Sequence, residues 1–210
     1  MTDGPRGRLV ALEGVDGCGK TTQAQLLAER LGALFTFEPG ATRLGESLRR
    51  LLLDRHRAPI SERAEALLMA ADRSQHLAET VVPALDAGTW VVTDRFSAST
   101  LAYQGFGRGL DRSELDLLIN WATGGLAPDL TVLVDVPVEV AAGRRGVTPG
   151  DHFEDQGDSF LQRVAEGYRC LAAASVTRWL VVDGTGSVDT VAEAIWSGVK
   201  AALGPVPGDG

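Results

Sequence analysis

Short apolar runs alternate along the chain with longer segments that repeat apolar residues every three or four positions. Such repeats are typical of amphipathic helices, whereas short continuous runs predict buried strands. Because strands alternate with helices, we predict an α/β fold with three layers, in which a five-stranded parallel sheet is flanked by helices and ligands bind at the carboxyl ends of the strands. The predicted strands are Leu9–Leu12, Leu34–Phe37, Trp90–Thr93, Leu130–Val136 and Trp179–Val182.

The loop after the first predicted strand contains the pattern G-x-x-x-x-G-K-T at residues 14–21. Its glycines let successive backbone N–H groups turn toward a polyphosphate, and the helix that follows directs the positive end of its dipole at the same anion. Lys20 can reach the β- and γ-phosphates, and the Thr21 hydroxyl is a ligand for Mg²⁺. The pattern therefore predicts a P-loop fold and an ATP site made of Gly14, Val15, Asp16, Gly17, Cys18, Gly19, Lys20, Thr21 and Thr22.

Two acidic residues at the ends of predicted strands are candidates to bind Mg²⁺. Asp94 follows the third strand and resembles a Walker-B acid, and Asp135 lies near the end of the fourth. Either carboxylate could instead cap the turn after its strand, and the spacing does not decide between them. Arg95 follows Asp94 directly and could neutralise phosphoryl oxygens in the transition state.

Polar residues just past the third strand suit the recognition of a sugar and a base. Hydroxyl and amide groups gather there within six positions, at Ser99, Thr100, Tyr103 and Gln104. Arg49 lies on the helix after the second strand, where a phosphate ligand and a solvated surface arginine are equally good interpretations. The next predicted helix runs from Ser61 to about Leu85. It carries Met69 and Arg73 one turn apart, so that both can face one pocket; a core methionine beside a surface arginine is the alternative.

Residues 144–157 predict a short lid. The segment is polar, glycine-rich and flanked by helical patterns. Closure of such a loop would exclude water, whose attack on an activated phosphate competes with transfer. A solvated acidic loop is the alternative. His152 has no metal-ligand spacing around it and is interpreted as an exposed polar residue.

Composition restricts the class of protein further. With 44% hydrophobic residues among 210, we expect one domain over residues 8–203, with flexible ends at 1–7 and 204–210. A net charge of −8 opposes nonspecific binding to nucleic acid or to an anionic membrane. Two distant cysteines favour a reducing compartment. Because no apolar leader or membrane-length run is present, we expect a cytoplasmic enzyme.

The motifs occur in a specific order: the phosphate loop, the turn at residues 38–40, the triplet at 94–96, the polar segment at 99–105 and the lid. In this order and spacing they resemble the thymidylate kinase family, and the resemblance extends from Arg8 to Leu203. It implies a nucleoside monophosphate kinase that transfers the γ-phosphate of ATP to dTMP, depends on Mg²⁺ and forms a homodimer.

The resemblance also implies roles for single residues. Asp16 would approach the 3′-hydroxyl of the acceptor sugar, while Arg49 and Arg95 would hold its 5′-phosphate. Arg73 would bond the base, and Tyr103 would crowd the 2′ position of ribonucleotides. The implied catalytic residues are Lys20, Arg95, Asp94, Asp16, Arg144 and Arg145, with Thr21 and Asp94 at the metal. The implied acceptor site is Asp16, Glu38, Arg49, Met69, Arg73, Arg95, Ser99, Thr100, Tyr103, Gln104, Asp151, Phe153 and Glu154.

Four positions depart from the family pattern. His152 replaces a common lid arginine, Met69 replaces a phenylalanine that stacks on thymine, and Ala41 replaces a glycine. Gly17 stands where some members carry an arginine in the phosphate loop. The extra positive charge is therefore expected from Arg144 or Arg145.

Two other functions stay open at this point. Met69 and His152 favour a kinase for another or a modified pyrimidine monophosphate. A nucleotide-binding regulator without turnover is less favoured, because Arg49, Arg73 and Arg95 together suit an acceptor phosphate and base. The chain has no Asn-Lys-x-Asp motif, which argues against a GTPase.

Overall fold

The computed structural model describes residues 6–54, 56, 58–145, 153, 156–175 and 178–207. Its strands form one parallel sheet in the order β2-β3-β1-β4-β5. The predicted α/β fold with a five-stranded parallel sheet is thereby confirmed. The strands are β1 (Leu9–Glu13), β2 (Leu34–Phe37), β3 (Val91–Asp94), β4 (Leu130–Asp135) and β5 (Trp179–Asp183).

Helices connect the strands. The predicted helix from Ser61 is continuous to Asp86, but it contains a π-helical segment at Leu77–Val81. A second π-helical segment, Leu101–Gly107, extends the short helix after β3. The α-helices are α1 (Lys20–Leu31), α2 (Arg43–Leu53), α3 (Glu62–His76), α4 (Val82–Asp86), α5 (Ser97–Thr100), α6 (Arg112–Thr123), α7 (Val138–Arg145), α8 (Asp158–Ala174) and α9 (Val188–Leu203).

The central strand β1 is buried on both faces, which explains its unbroken apolar run. Val10 and Leu12 belong to the large core cluster, which also holds Leu27 of α1. Leu9 and Ala11 point to the other side and pack in a second cluster. Alternate residues of a strand face opposite sides of a sheet, so helices must cover both faces of β1.

The register of the sheet places two functional loops next to each other. Leu12 of β1 pairs with Asp94 at the end of β3, and both strands are parallel. The phosphate loop that follows β1 and the segment that follows Asp94 therefore leave the sheet at the same edge, as the sequence predicts.

Residues outside 8–203 also contact the domain. The Gly7 backbone N–H donates to the Leu85 carbonyl at 2.8 Å, and Val206 is buried in the large core cluster. Within the described ranges, no helix combines the length and the apolar character needed to span a bilayer.

Candidate active site

The phosphate loop joins β1 to α1. Gly14, Gly17 and Gly19 have φ values of 149°, 86° and 94°, which L side chains rarely adopt. At Gly14 a Cβ atom would also lie 2.7 Å from the Cys18 Sγ atom. Gly19 precedes α1 and offers no side chain to cap it. The backbone N–H groups at this helix start can therefore be satisfied by an anion.

A candidate cation site lies beside this helix start. The Thr21 hydroxyl donates to Oδ2 of Asp94. The other oxygen, Oδ1, is buried and has no hydrogen-bond partner among the described residues. A carboxylate oxygen with unused acceptor capacity next to a hydroxyl fits Mg²⁺, which binds one or two protein oxygens and completes its shell with waters and phosphates.

Asp135, the alternative acid, is engaged elsewhere. Its two carboxylate oxygens accept hydrogen bonds from Nε and Nη2 of Arg169, each at 3.0 Å. This bidentate pair uses the acceptors that a metal would need. The geometry thus favours Asp94 as the acid near the phosphate loop.

Asp16 connects the phosphate loop to Arg95. Its Oδ1 lies 3.3 Å from the Lys20 ammonium and 2.5 Å from Nη2 of Arg95. Its Oδ2 accepts a hydrogen bond from the Tyr103 hydroxyl at 2.7 Å. Burial acts to raise the pKa of Asp16, but the charges of Arg95 and Lys20 outweigh it and hold that pKa well below its usual range. Asp16 is therefore an anion at any working pH.

Arg95 has an unusual backbone conformation, and both terminal nitrogens of its side chain donate hydrogen bonds. Its φ is 73°, the one positive value among the described non-glycine residues. The Nη1 atom donates to Ser99, to Tyr168 and to the Gly14 carbonyl at 3.0, 3.1 and 3.3 Å. A residue held in this sparsely populated conformation requires surrounding contacts that fix it.

A cavity of about 370 Å³ opens from the phosphate loop. The cavity is lined by charged groups, which include Lys20 and Arg95, and by aromatic and amide groups. Most of the acceptor residues predicted from the sequence line it: Asp16, Glu38, Arg49, Met69, Arg73, Arg95, Ser99, Thr100, Tyr103, Gln104 and Phe153. Lys20, Thr21 and Asp94 line the same cavity.

A buried polar network holds Arg73 in the cavity wall. Its guanidinium donates to Glu38 Oε2 at 2.7 Å, to the Thr100 hydroxyl at 2.9 Å and to the Phe96 carbonyl at 2.9 Å. Glu38 also contacts Nδ1 of His76 at 2.9 Å. A guanidinium carries five N–H groups, and three of those of Arg73 donate to described residues. The other two have no partner in the described part of the chain and can bond a ligand.

Neighbouring side chains complete this wall. Met69 is half-buried, one helical turn from Arg73. Gln104 is buried, and its amide nitrogen donates to Oε1 of Glu65 at 3.1 Å. Arg49 donates to the Pro39 carbonyl at 2.8 Å and lies over the Phe37 ring. Arg49 thus lies at the cavity and not on a remote surface.

Part of the predicted lid lies within the described residues. Nη1 of Arg144 donates to the Cys18 carbonyl in the phosphate loop at 3.2 Å, and Nη2 donates to the Thr185 carbonyl at 3.3 Å. Phe153 is buried and meets Tyr103 edge to face, with ring centroids 5.7 Å apart. Arg108 donates to Gln156 at 2.6 Å. The predicted residues Asp151, His152 and Glu154 and the side chain of Arg145 lie outside the described part.

The sequence did not reveal the polar residues that support the side chains of the cavity. Glu13, Glu65, His76, Arg108 and Tyr168 contact residues that line the cavity, and Asp72 lines the cavity itself. Only Glu13 left a signal, because a carboxylate interrupts the apolar run just before the phosphate loop. Three of the others lie on α3 among many charged residues, Arg108 lies in the turn after the second π-helical segment, and Tyr168 lies on α8. Their partners are distant in sequence.

The fold and the site together define a class of protein. A parallel sheet carries a phosphate loop with a cation site beside it, and the adjoining cavity contains several arginines and buried polar groups. Such an arrangement is that of a P-loop phosphotransferase with room for an acceptor as well as a donor.

Comparisons with known proteins identify the family. The thymidylate kinase family model matches residues 12–195. A thymidylate kinase of Burkholderia thailandensis is 46% identical over 208 residues, covering 94% of this chain and 99% of its own. One of Desulforudis audaxviator is 47% identical over 203 residues, covering 94% and 92%. The crystal structure of thymidylate kinase from Ehrlichia chaffeensis is 31% identical and superposes with a TM-score of 0.77, covering 93% of this chain and 100% of that one.

The chain belongs to the thymidylate kinase family. The resemblance found in the sequence motifs is thereby confirmed.

Proposed function

We propose that this site transfers the γ-phosphate of ATP to dTMP and releases dTDP. Family membership supports the reaction, and one observation carries the assignment to this cavity. Asp16 contacts Lys20 of the phosphate loop and also Arg95 and Tyr103 of the cavity. Donor and acceptor sites therefore meet at a single half-buried carboxylate, as transfer between two bound nucleotides requires.

The donor side is the phosphate loop. Its backbone N–H groups from Gly14 to Thr22 surround the phosphates of ATP, and Lys20 contacts the β- and γ-phosphates. Thr21 and Asp94 would hold Mg²⁺, through the Thr21 hydroxyl and the Asp94 oxygen that has no hydrogen-bond partner among the described residues. The ion supplies neutralisation of phosphate charge when it is bound.

The acceptor nucleotide binds in the cavity beside the phosphate loop. Arg95 and Arg49 hold the 5′-phosphate of dTMP, and Asp16 accepts a hydrogen bond from the 3′-hydroxyl. Tyr103 is fixed against Asp16 by its hydroxyl and narrows the space at the 2′ position. This contact disfavours ribonucleotides. Glu38 keeps Arg73 in place by a buried ion pair.

The base is recognised by a donor beside an acceptor. Arg73 can only donate, which suits a thymine carbonyl oxygen. The amide nitrogen of Gln104 is used by Glu65, so its carbonyl oxygen is the group that can accept from the base. Cytosine presents an amino group where thymine has this carbonyl oxygen. Thr100, Ser99 and Met69 complete the wall, and Met69 gives a flexible apolar contact to the ring.

The lid supplies the remaining charge. Arg144 already contacts the phosphate loop through the Cys18 carbonyl, and with Arg145 it compensates for Gly17 and His152. Phe153 closes the cavity against Tyr103. From the family resemblance, we also propose Asp151 and Glu154 as acceptor-site residues. Closure excludes water from the γ-phosphate.

Transfer then depends on position and charge. Lys20 and Arg95 face the group whose oxygens gain charge, and neither has to exchange a proton. In the free protein both cations lie against Asp16. Bound phosphates replace part of this interaction, so the cations are kept close to their working positions before the ligands arrive.

The protein acts as a homodimer in this proposal. Helices α2, α3 and α6 lie side by side, and the Arg63–Glu114 ion pair links the outer faces of α3 and α6. Large apolar side chains on these outer faces are exposed, with Trp121 at 82% and Leu117 at 73%. A second copy of the chain is the partner that would cover them. The two cysteines are unpaired, which agrees with the expected cytoplasmic location.

An ATP-coupled assay over a panel of monophosphates tests the reaction. We expect dTMP to give the highest kcat/KM, dUMP to follow, and dCMP and ribonucleotides to react poorly. A preference for dCMP or for a ribonucleotide would contradict the base and sugar contacts assigned here. ATP hydrolysis without any acceptor preference would contradict the kinase assignment itself.

A further inference from the structure

Glu13 is a buried carboxylate that none of the assigned roles uses. It ends β1, directly before the phosphate loop, and is fully excluded from solvent. Burial raises its pKa, while Ser99, the Arg95 charge and the Phe96 and Tyr168 bonds act in the opposite direction. Burying a carboxylate without hydrogen-bond partners costs folding free energy, so the contacts of Glu13 must offset this cost.

One oxygen of Glu13 fixes the backbone after Arg95. Oε1 accepts the backbone N–H of Phe96 at 2.9 Å and that of Ser99 at 3.2 Å. On the other side, the backbone N–H of Arg95 donates to the Leu12 carbonyl at 2.9 Å. The left-handed conformation of Arg95 is thus held between β1 and the Glu13 carboxylate.

The other oxygen fixes the side chain of Arg95 through two hydroxyl groups. Oε2 accepts from Ser99 Oγ at 2.6 Å and from the Tyr168 hydroxyl at 3.0 Å. Both hydroxyls also lie within hydrogen-bond distance of Nη1 of Arg95. A hydroxyl that gives its proton to a carboxylate presents its lone pairs elsewhere, and here they face the guanidinium.

We propose that Glu13 is a positioning residue for phosphoryl transfer, because it holds both the backbone and the guanidinium of Arg95 in place. This inference rests on the proposed function, in which Arg95 contacts the transferred group. Ser99 accordingly serves Arg95 more directly than it serves the acceptor. Arg95 keeps its direction without reorganisation when the ligands bind, which is the condition under which a fixed charge lowers a barrier.

The test is a double-mutant cycle on kcat. Glu13→Gln keeps the shape and one carbonyl acceptor, but it replaces Oε2 by a donor and removes the charge. We expect kcat for dTMP to fall about 10- to 100-fold, with the KM for ATP changed less than about 3-fold. In an Arg95→Met background the same change should cost less than about 3-fold, because the residue through which Glu13 acts is gone.

The control arm uses another arginine of the cavity. Arg49 contacts the Pro39 carbonyl and not the Glu13 network, so Glu13→Gln should keep its full effect in an Arg49→Met background. An equal loss with and without Arg95 would overturn the proposal, and so would an unchanged kcat in the single variant. Loss of the effect in both backgrounds would indicate a general structural role and would overturn it as well.

Two further measurements complete the design. If Glu13→Gln does not fold, Tyr168→Phe replaces it in the cycle, since this change removes one of the two linking hydroxyls and keeps the ring. We expect a loss of about 3- to 10-fold that again requires Arg95. Failure of the proposed function is distinguishable, because then the wild-type protein would lack dTMP kinase activity or Arg95→Met would retain all of it.

Discussion

Asp72, a residue of the cavity wall, lowers the stability of the folded protein at neutral pH because its carboxylate is buried. Asp72 accepts the Gly40 backbone N–H at 3.0 Å and lies beside Glu38. Burial and then the Glu38 charge raise the pKa of Asp72 from 3.8 to about 6. The folded state therefore binds the Asp72 carboxyl proton more tightly than the unfolded state does. The stability that this proton contributes is lost as the pH rises from about 4 to about 6.

We predict that Asp72→Asn stabilises the protein at neutral pH. Asparagine keeps the carbonyl acceptor for Gly40 and removes the buried charge, so the free energy of unfolding at pH 7.5 should rise by about 1 to 3 kcal/mol. Urea unfolding at pH 7.5 and at pH 4.5 measures the difference, which should shrink at the lower pH. Asp111 is a control, since hydrogen bonds from Ser113 and Glu114 lower its pKa and Asp111→Asn should give no such gain. An equal Asp72→Asn effect at both pH values would contradict the assignment.

Met69 determines how tightly the base is held. It lies in the cavity wall one turn from Arg73, where a thioether contacts a ring without fixing its plane. Because an aromatic contact adds roughly 0.5–1.5 kcal/mol beyond burial, Met69→Phe should lower the KM for dTMP several-fold at similar kcat and widen the gap to dUMP. Steady-state kinetics with both substrates gives the answer. Unchanged KM values would mean that Met69 is core packing only.

At the scale of elements, the sheet and the phosphate loop were predictable, because continuous apolar strands and a glycine-rich loop are strong local patterns. For the polar segment after β3, the sequence predicted the ligand-binding side chains but not the backbone conformation. It forms a π-helical segment, Leu101–Gly107, which brings Tyr103 and Gln104 to the cavity. An extra residue in a helical turn leaves no mark in an apolar pattern.

The networks behind the site could not be predicted. Glu13 meets Tyr168 across 155 positions, and Gln104 meets Glu65 across 39. Contacts of this kind follow from the packing of α3 and α8 against the segment after β3, which no local pattern encodes. The sequence also left Asp94 and Asp135 undecided. The structure separates them, because Asp94 lies beside Thr21 whereas Asp135 is paired with Arg169.

The start of the lid should carry the arginine that the phosphate loop lacks. Arg144 contacts the loop at Cys18. A guanidinium supplies a permanent positive charge, whereas an imidazole is only partly protonated near neutrality. Arg144→Ala should lower kcat about 10- to 100-fold, while His152→Ala should change it little. Pre-steady-state transfer rates measure both. A crippled His152→Ala protein whose wild-type activity follows imidazolium protonation would contradict this assignment.

At the scale of the molecule, the exposed apolar surface on α3 and α6 predicts self-association. Trp121→Glu should give a monomer in sedimentation velocity at micromolar concentration, because it places a charge beside the exposed apolar side chains of α6. Val181→Glu, at a similarly apolar but separate exposed position on β5, is the matched control and should leave the sedimentation coefficient unchanged. A Trp121→Glu protein with the oligomeric state of the wild type would place the interface elsewhere.

In the proposed reaction, a phosphoryl group passes between two ligands that meet at Asp16. Single-turnover transfer from ATP to dTMP by a folded Lys20→Ala protein tests this most directly, since Lys20 is the phosphate-loop cation that contacts Asp16. Loss of its charge should cost several kcal/mol in the barrier, so the rate should fall on the order of 10²- to 10⁴-fold with the fold intact. A near-normal transfer rate in that variant would contradict the mechanism.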